Sequence, residues 1–277
     1  MNHRKSLLFL FLALFLAFSV KPARAFEEIK PNYIVVYGDT RSGNEIHRKI
    51  VNKIFEINPV AVFHTGDMLG TWENFNDITS ELRKKIHFYS ARGNHDDLEG
   101  FLNNFDLPNN ERWYSVNIEN IHFVVLDSEI RLFKFSQQYR WLVKDLSGVD
   151  SRQSKFIVLL FHFPIFSSET GHVEDQAHWR DNILPLIEQY GVNLVFSGHN
   201  HGYERLVVDH INYVVTGGGG ASLSTLKEKS PDSRVFKEDY YFCTIAQYPD
   251  RLVVEVTDIF GNLIDRFTIN ASHGVPE

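Results

Sequence analysis

Seven residues able to ligate a metal or carry a proton stand just after short apolar runs: Asp39, Asp67, Asn94, His95, His162, His199 and His201. They offer two carboxylates, one amide oxygen and four imidazoles. Hard oxygens mixed with ring nitrogens suit Mn, Fe, Zn or Co better than Ca, and no thiolate is involved. His199 and His201 lie two positions apart in one loop, so both rings could reach a pair of adjacent ions. Two ions about 3.5–4 Å apart, sharing a carboxylate, can clamp both the attacking and the leaving oxygen of a displacement. Glycine precedes four of these positions, at Gly38, Gly66, Gly93 and Gly198. Such glycines are expected to provide tight turns that swing each ligand toward a shared centre.

The elements that must position these residues follow from the apolar pattern. Tyr33–Tyr37, Val60–Phe63, Phe88–Ala91, Phe156–Phe161 and Val192–Phe196 read as strands, each running into one of the motifs. Ile46, Ile50, Ile54 and Ile57 recur at helical spacing, predicting a helix over 45–57 with Asn44 as its N-cap. Gln137–Leu146 and Asp175–Tyr190 also read as helices, the second carrying Pro185 and stopping at Gly191. Val116–Ile118 and His122–Leu126 form a predicted hairpin around Glu119-Asn120. Beyond residue 205 strands follow one another without helices, with hairpin turns at Asp209-His210 and Gly261-Asn262. Residues 227–238 are polar and read as a loop. Alternating βα units followed by a β meander predict an α/β fold. The expected architecture is a four-layer α/β/β/α sandwich, two mixed β-sheets packed face to face with flanking helices. Loops at the C-terminal ends of strands form the ligand crevice of such sheets, so the motifs are expected to converge there.

The ordered set Gly38-Asp39, Gly66-Asp67, Gly93-Asn94-His95-Asp96, His162 and Gly198-His199-Asn200-His201 resembles the calcineurin-like metallophosphoesterase superfamily. Gly198–Arg205 and Thr216–Gly220 are similar to its purple acid phosphatase branch. The resemblance implies that Asp67 bridges two metal ions. Asn94, His162 and His199 would complete one, and Asp39 and His201 would hold the other. His95 would contact phosphate and protonate the leaving oxygen. The implied reaction is in-line attack on phosphorus by a hydroxide that the metals activate. The implied cofactors are two divalent or trivalent ions, Fe, Mn or Zn.

Two positions depart from the family pattern. Arg41 stands where many members have His two residues after the first Asp. Gly70 stands where purple acid phosphatases have Tyr three residues after the bridging Asp. Arg41 offers a bidentate fork for a phosphate oxygen, or a partner for Asp67. His172, in the polar stretch after Phe163-Pro164, is a second candidate phosphate contact. Trp72, Trp113 and Tyr203 could wall a pocket, with strand packing the favoured reading of Trp113, and Glu204 and Arg205 read as a structural ion pair. His47, His87, His122, His178 and His210 are assigned to surface or core.

The chain has 277 residues, 28 Lys+Arg, 35 Asp+Glu and a formal net charge of −7. Cys243 alone excludes an intrachain disulfide framework and a Cys-rich zinc site. Residues 1–25 have the form of a secretory signal: Arg4 and Lys5, an uncharged Leu/Phe-rich run from Ser6 to Val20, then Ala23-Arg24-Ala25. Cleavage is expected after Ala25, leaving a periplasmic or secreted single domain over 26–277 without stable membrane association. Without Arg4, Lys5, Lys21 and Arg24, 24 bases face 35 acids, a net of −11. Such acidity argues against a nucleic-acid polymer as partner. It does not argue against a small phosphate ester, since bound metal reverses the sign locally. The expected function is therefore an exported metal-dependent phosphoesterase, with monoesters favoured. The alternatives are a phosphodiesterase, or a phosphate- or metal-binding protein whose catalysis has degraded.

Overall fold

The computed structural model of the chain describes residues 30–68, 70–169, 177–225 and 228–271. The expected export segment and His172 lie outside them. Among the described residues the elements run β1 (Asn32–Tyr37), α1 (Asn44–Ile57), β2 (Ala61–His64), α2 (Trp72–Arg83), β3 (His87–Ser90), α3 (Leu98–Asn104), β4 (Tyr114–Ile118), β5 (Ile121–Val125), α4 (Gln137–Ser147), β6 (Phe156–Leu160), α5 (Ala177–Gln189) and β7 (Leu194–Ser197). The meander follows as β8 (Tyr203–Val208), β9 (Ile211–Thr216), β10 (Ser233–Lys237), β11 (Tyr241–Gln247), β12 (Arg251–Asp258) and β13 (Leu263–Asn270).

These strands form two mixed sheets, ordered β13-β12-β11-β1-β2-β3 and β10-β8-β9-β7-β6-β5-β4. Side chains alternate across a strand, so each strand serves two layers. On β1, Ile34 and Val36 point between the sheets, where they join Phe63, Phe123, Val158, Leu160 and Phe196. Phe63 of one sheet stacks on Phe123 of the other, with ring centroids 4.4 Å apart. Val35 and Tyr37 point the other way, onto Ile50, Val51 and Ile54 of α1 and Ile78 and Leu82 of α2. On the far side, Val124, Leu159 and Val195 pack against Leu142 of α4 and Trp179 and Ile183 of α5. The result is the expected α/β/β/α sandwich.

Two local expectations are corrected, and one helix was not foreseen. The residue before α1 is Gly43, with no side-chain cap, so Asn44 is the first helical residue and not the N-cap. Helix α2 starts at a cap the apolar spacing did not reveal: Thr71 accepts the Asn74 N–H at 3.1 Å. The polar segment 227–238 contains an edge strand, β10, which pairs antiparallel with β8.

Candidate metal centre

β1, β2 and β3 run parallel in one sheet, and β5, β6, β7 and β9 run parallel in the other. Each of the motifs leaves the C-terminal end of one of these strands. The loops are tied to one another through the backbone. Asp39 donates to the Gly66 carbonyl at 2.9 Å, Thr40 to Asp67 at 3.0 Å, and Gly198 to His162 at 2.9 Å. The two sheets are joined at the same edge: His199 N–H reaches both oxygens of Asp39 at 3.0 Å.

Strain sits on the candidate ligands themselves. Asp39, Asp67 and His199 hold φ of 59°, 59° and 71°, a left-handed conformation costly for non-glycine residues and concentrated at functional sites. Among the neighbouring glycines only Gly66 has such a conformation, at φ 100°. The others provide space. A Cβ on Gly93 would collide with the Asp67 backbone N and carboxylate, and one on Gly198 with the Asp39 carboxylate. The expectation that these glycines make the turns holds at Gly66, whereas at Gly93 and Gly198 they allow close approach.

One set of donors gathers at Asn94. His162 Nε2 and His199 Nδ1 each lie 3.0 Å from Asn94 Oδ1, and Asp67 Oδ1 lies 3.4 Å from His162 Nε2. The tautomer of His162 is fixed by its other nitrogen, since Nδ1 donates to the Thr65 carbonyl at 2.9 Å. Full burial holds the His162 pKa below its ordinary value, partly offset by Asp67. The neutral ring therefore turns the Nε2 lone pair toward the Asn94 oxygen. Acceptors converging in this way suit a cation between them.

A second set comprises Asp39, Asp67 and His201, whose ligand atoms lie within 4.8 Å of one another. Asp39 and Asp67 are buried. Burial, and then the adjacent Asp67 carboxylate, raise the Asp39 pKa well above the usual carboxylate range. His201 Nδ1 donates to the Ser222 carbonyl at 2.8 Å, so Nε2 faces inward, 3.6 Å from Asp39 Oδ1. Arg41 enters this set. Its Nε lies 3.4 Å from Asp67 Oδ2, and its Nη2 donates to His201 Nε2 at 3.4 Å. Two buried carboxylates against one guanidinium leave a negative excess, which also fits a bound cation.

His95 lies at the rim. Its N–H donates to Asp67 Oδ1 at 2.9 Å, and its half-exposed ring has Nε2 3.9 Å from Asp67 Oδ2. Asp96 supports this loop as expected. It accepts N–H bonds from Asp67, Met68 and Gly93 at 2.8–2.9 Å, tying the β2 and β3 loops together. The carbonyls of Thr65 and Ser222 orient two ligands, a role that side-chain type does not signal. His64, buried nearby, accepts the Gly66 N–H at 3.1 Å. The Glu204–Arg205 pair is not formed. Glu204 accepts from Ser167 and Ser168, whereas Arg205 pairs with Asp265 at 2.6 Å. Tyr203 is buried and donates to Asp265 at 2.7 Å rather than walling the site.

Residues 23–203 match the profile of the family described as calcineurin-like phosphoesterase. Purple acid phosphatase 18 of Arabidopsis thaliana is 27% identical over 195 residues, 60% of this chain and 44% of its own length. A nucleotide pyrophosphatase/phosphodiesterase of Hordeum vulgare is 26% identical over 265 residues, 76% of this chain and 72% of its own length. A purple acid phosphatase from yellow lupin seeds has the same fold, with a TM-score of 0.78 at 21% identity over 86% of this chain and 53% of that one. The chain spans less than half the length of the first curated relatives it matches.

Proposed function

The chain belongs to the calcineurin-like phosphoesterase family, and on that premise we propose that it is an exported, metal-dependent hydrolase of phosphate esters. The observation that carries the proposal is the convergence of Asn94 Oδ1, His162 Nε2 and His199 Nδ1 beside Asp67. These four residues would hold one ion. Asp39, Asp67 and His201 could hold a second, beside the guanidinium of Arg41. When bound, a divalent or trivalent ion polarises a phosphoryl oxygen and supplies an activated nucleophile near neutral pH.

The side chains then have separate tasks. Thr65 and Ser222 fix the tautomers of His162 and His201 through their carbonyls. His95, with its ring at the rim, would give a proton to the leaving oxygen. Arg41 is partly exposed, so the guanidinium edge turned from Asp67 can present N–H groups to a phosphate oxygen. No helix among the described residues is long and apolar enough to cross a membrane. Export rests on residues 1–25 and is checked by N-terminal sequencing, which should begin at Phe26.

Phosphate monoesters are the favoured substrates, supported by the similarity to purple acid phosphatases. The similarity to a phosphodiesterase, over more of this chain, supports a diester reading as the second choice. The direct test is manganese- or iron-loaded protein assayed on aryl phosphate monoesters and diesters. Faster turnover of the monoester is expected. Turnover of the diester alone would reverse the preference. No turnover with any metal, together with tight phosphate binding, would favour a binding protein without catalysis, a reading for which Arg41 inside the second donor set speaks.

A further inference from the structure

We propose that the Arg41 guanidinium takes the place of one of the two cations of this centre, so that the protein holds a single metal ion, on Asp67, Asn94, His162 and His199. The inference rests on the metallophosphoesterase reading above and specifies its active form.

The two donor sets are not equivalent. In the Asn94 set, His162 Nε2 and His199 Nδ1 each lie 3.0 Å from Asn94 Oδ1. In the Asp39 set, two of the three donors already face a cation. The His201 Nε2 lone pair receives an N–H from Arg41 Nη2, and Asp67 Oδ2, which has no hydrogen bond, is ion-paired with Arg41 Nε. Both contacts come from one planar group, the one to Asp67 Oδ2 being an ion pair in which Arg41 Nε also makes no hydrogen bond.

Among the described residues, positions 41 and 70 supply no substitute ligand. Position 41 offers donors where an imidazole would offer a lone pair. Position 70 has no side chain, and a Cβ there would meet only Ser42 N at 3.6 Å. An ion on Asp39, Asp67 and His201 would therefore have three protein ligands and a like charge beside them. Charge balance points the same way. One divalent ion with Arg41 exceeds the Asp39 and Asp67 carboxylates by one positive charge, which is enough to draw a phosphate. Two divalent ions beside Arg41 would raise that excess to three.

The test is metal content per chain after saturation with manganese and desalting, together with the Mn(II) paramagnetic resonance spectrum. The wild-type protein is expected to retain one ion, with the hyperfine pattern of an isolated Mn(II). Arg41→His should raise the content to two and give the spectrum of a spin-coupled pair. If that variant does not fold, Arg41→Gln removes the charge at similar reach and should also admit a second ion. Asn94→Ala should reduce the wild-type content from one to none. Two ions in the wild type would overturn the inference and leave the metallophosphoesterase reading intact. One ion that survives Asn94→Ala, or a content that stays at one in both Arg41 variants, would also overturn it. No ion from manganese, iron or zinc would overturn both readings.

Discussion

A methyl group added to Gly93 would press on the backbone N and the carboxylate of Asp67, the residue shared by both donor sets. That carboxylate is fixed on its other side by the His95 N–H, so it has little room to yield. Gly93→Ala is therefore expected to weaken metal binding by roughly 10–100-fold, as displaced supporting contacts do at metal sites. Calorimetric titration with manganese checks this, and unchanged affinity would show that Asp67 is not a ligand. The tyrosines near the motifs are directed elsewhere. Tyr37 bonds His47 at 3.1 Å on the helix side of its sheet, Tyr203 bonds Asp265, and Tyr241 bonds the Gly202 and Val215 carbonyls. With Gly70 in place of a ligand tyrosine, iron-loaded protein is expected to lack an intense tyrosine-to-iron band in its visible spectrum. Such a band, lost on changing one of these tyrosines to Phe, would contradict the assignment. At this scale the sequence revealed which residue types could bind metal. It did not reveal which donor faces which acceptor, and so it left Arg41 between phosphate and Asp67.

Among the elements, α1 carries a titratable group into the core. His47 is buried against Tyr37, and burial, helped by Arg48, lowers its pKa from 6.5 to about 3. The folded protein then binds fewer protons than the unfolded chain at any pH between those values. Its contribution to stability is complete above about pH 6.5 and is lost progressively as the pH falls toward 3. His47→Gln keeps a partner for the Tyr37 hydroxyl and removes the titration. Urea unfolding across that range should show a dependence on pH shallower by up to about 1.4 kcal/mol per pH unit. An unchanged slope would mean that His47 is protonated in the folded state. The strands that carry the motifs were legible because a buried parallel strand is a run of apolar residues. Helix α2 was not, since its start depends on a Thr71 cap bond rather than on apolar spacing. Strand β10 was not, because an edge strand is defined by its partner β8 and not by its own polar residues. The failed Glu204–Arg205 pair has the same origin: successive residues of β8 point to opposite faces, so neighbours in sequence find different partners.

For the molecule as a whole, the two sheets bring residues more than 160 positions apart in sequence to one edge. The switch from βα units to a meander was enough to infer the sandwich. The convergence followed, because the C-terminal ends of the central strands of both sheets lie together. What the sequence could not show was the balance of charge at that edge, which depends on the direction of one arginine side chain. An acidic chain thereby gathers two buried carboxylates, Asp39 and Asp67, at this edge beside the Arg41 guanidinium. The most direct measurement of this is an anomalous difference map from crystals grown with manganese and recorded at its absorption edge. The strongest peak is expected among Asp67, Asn94, His162 and His199. A map with no peak there, or with manganese only on surface carboxylates, would contradict the assignment of this edge as a metal centre.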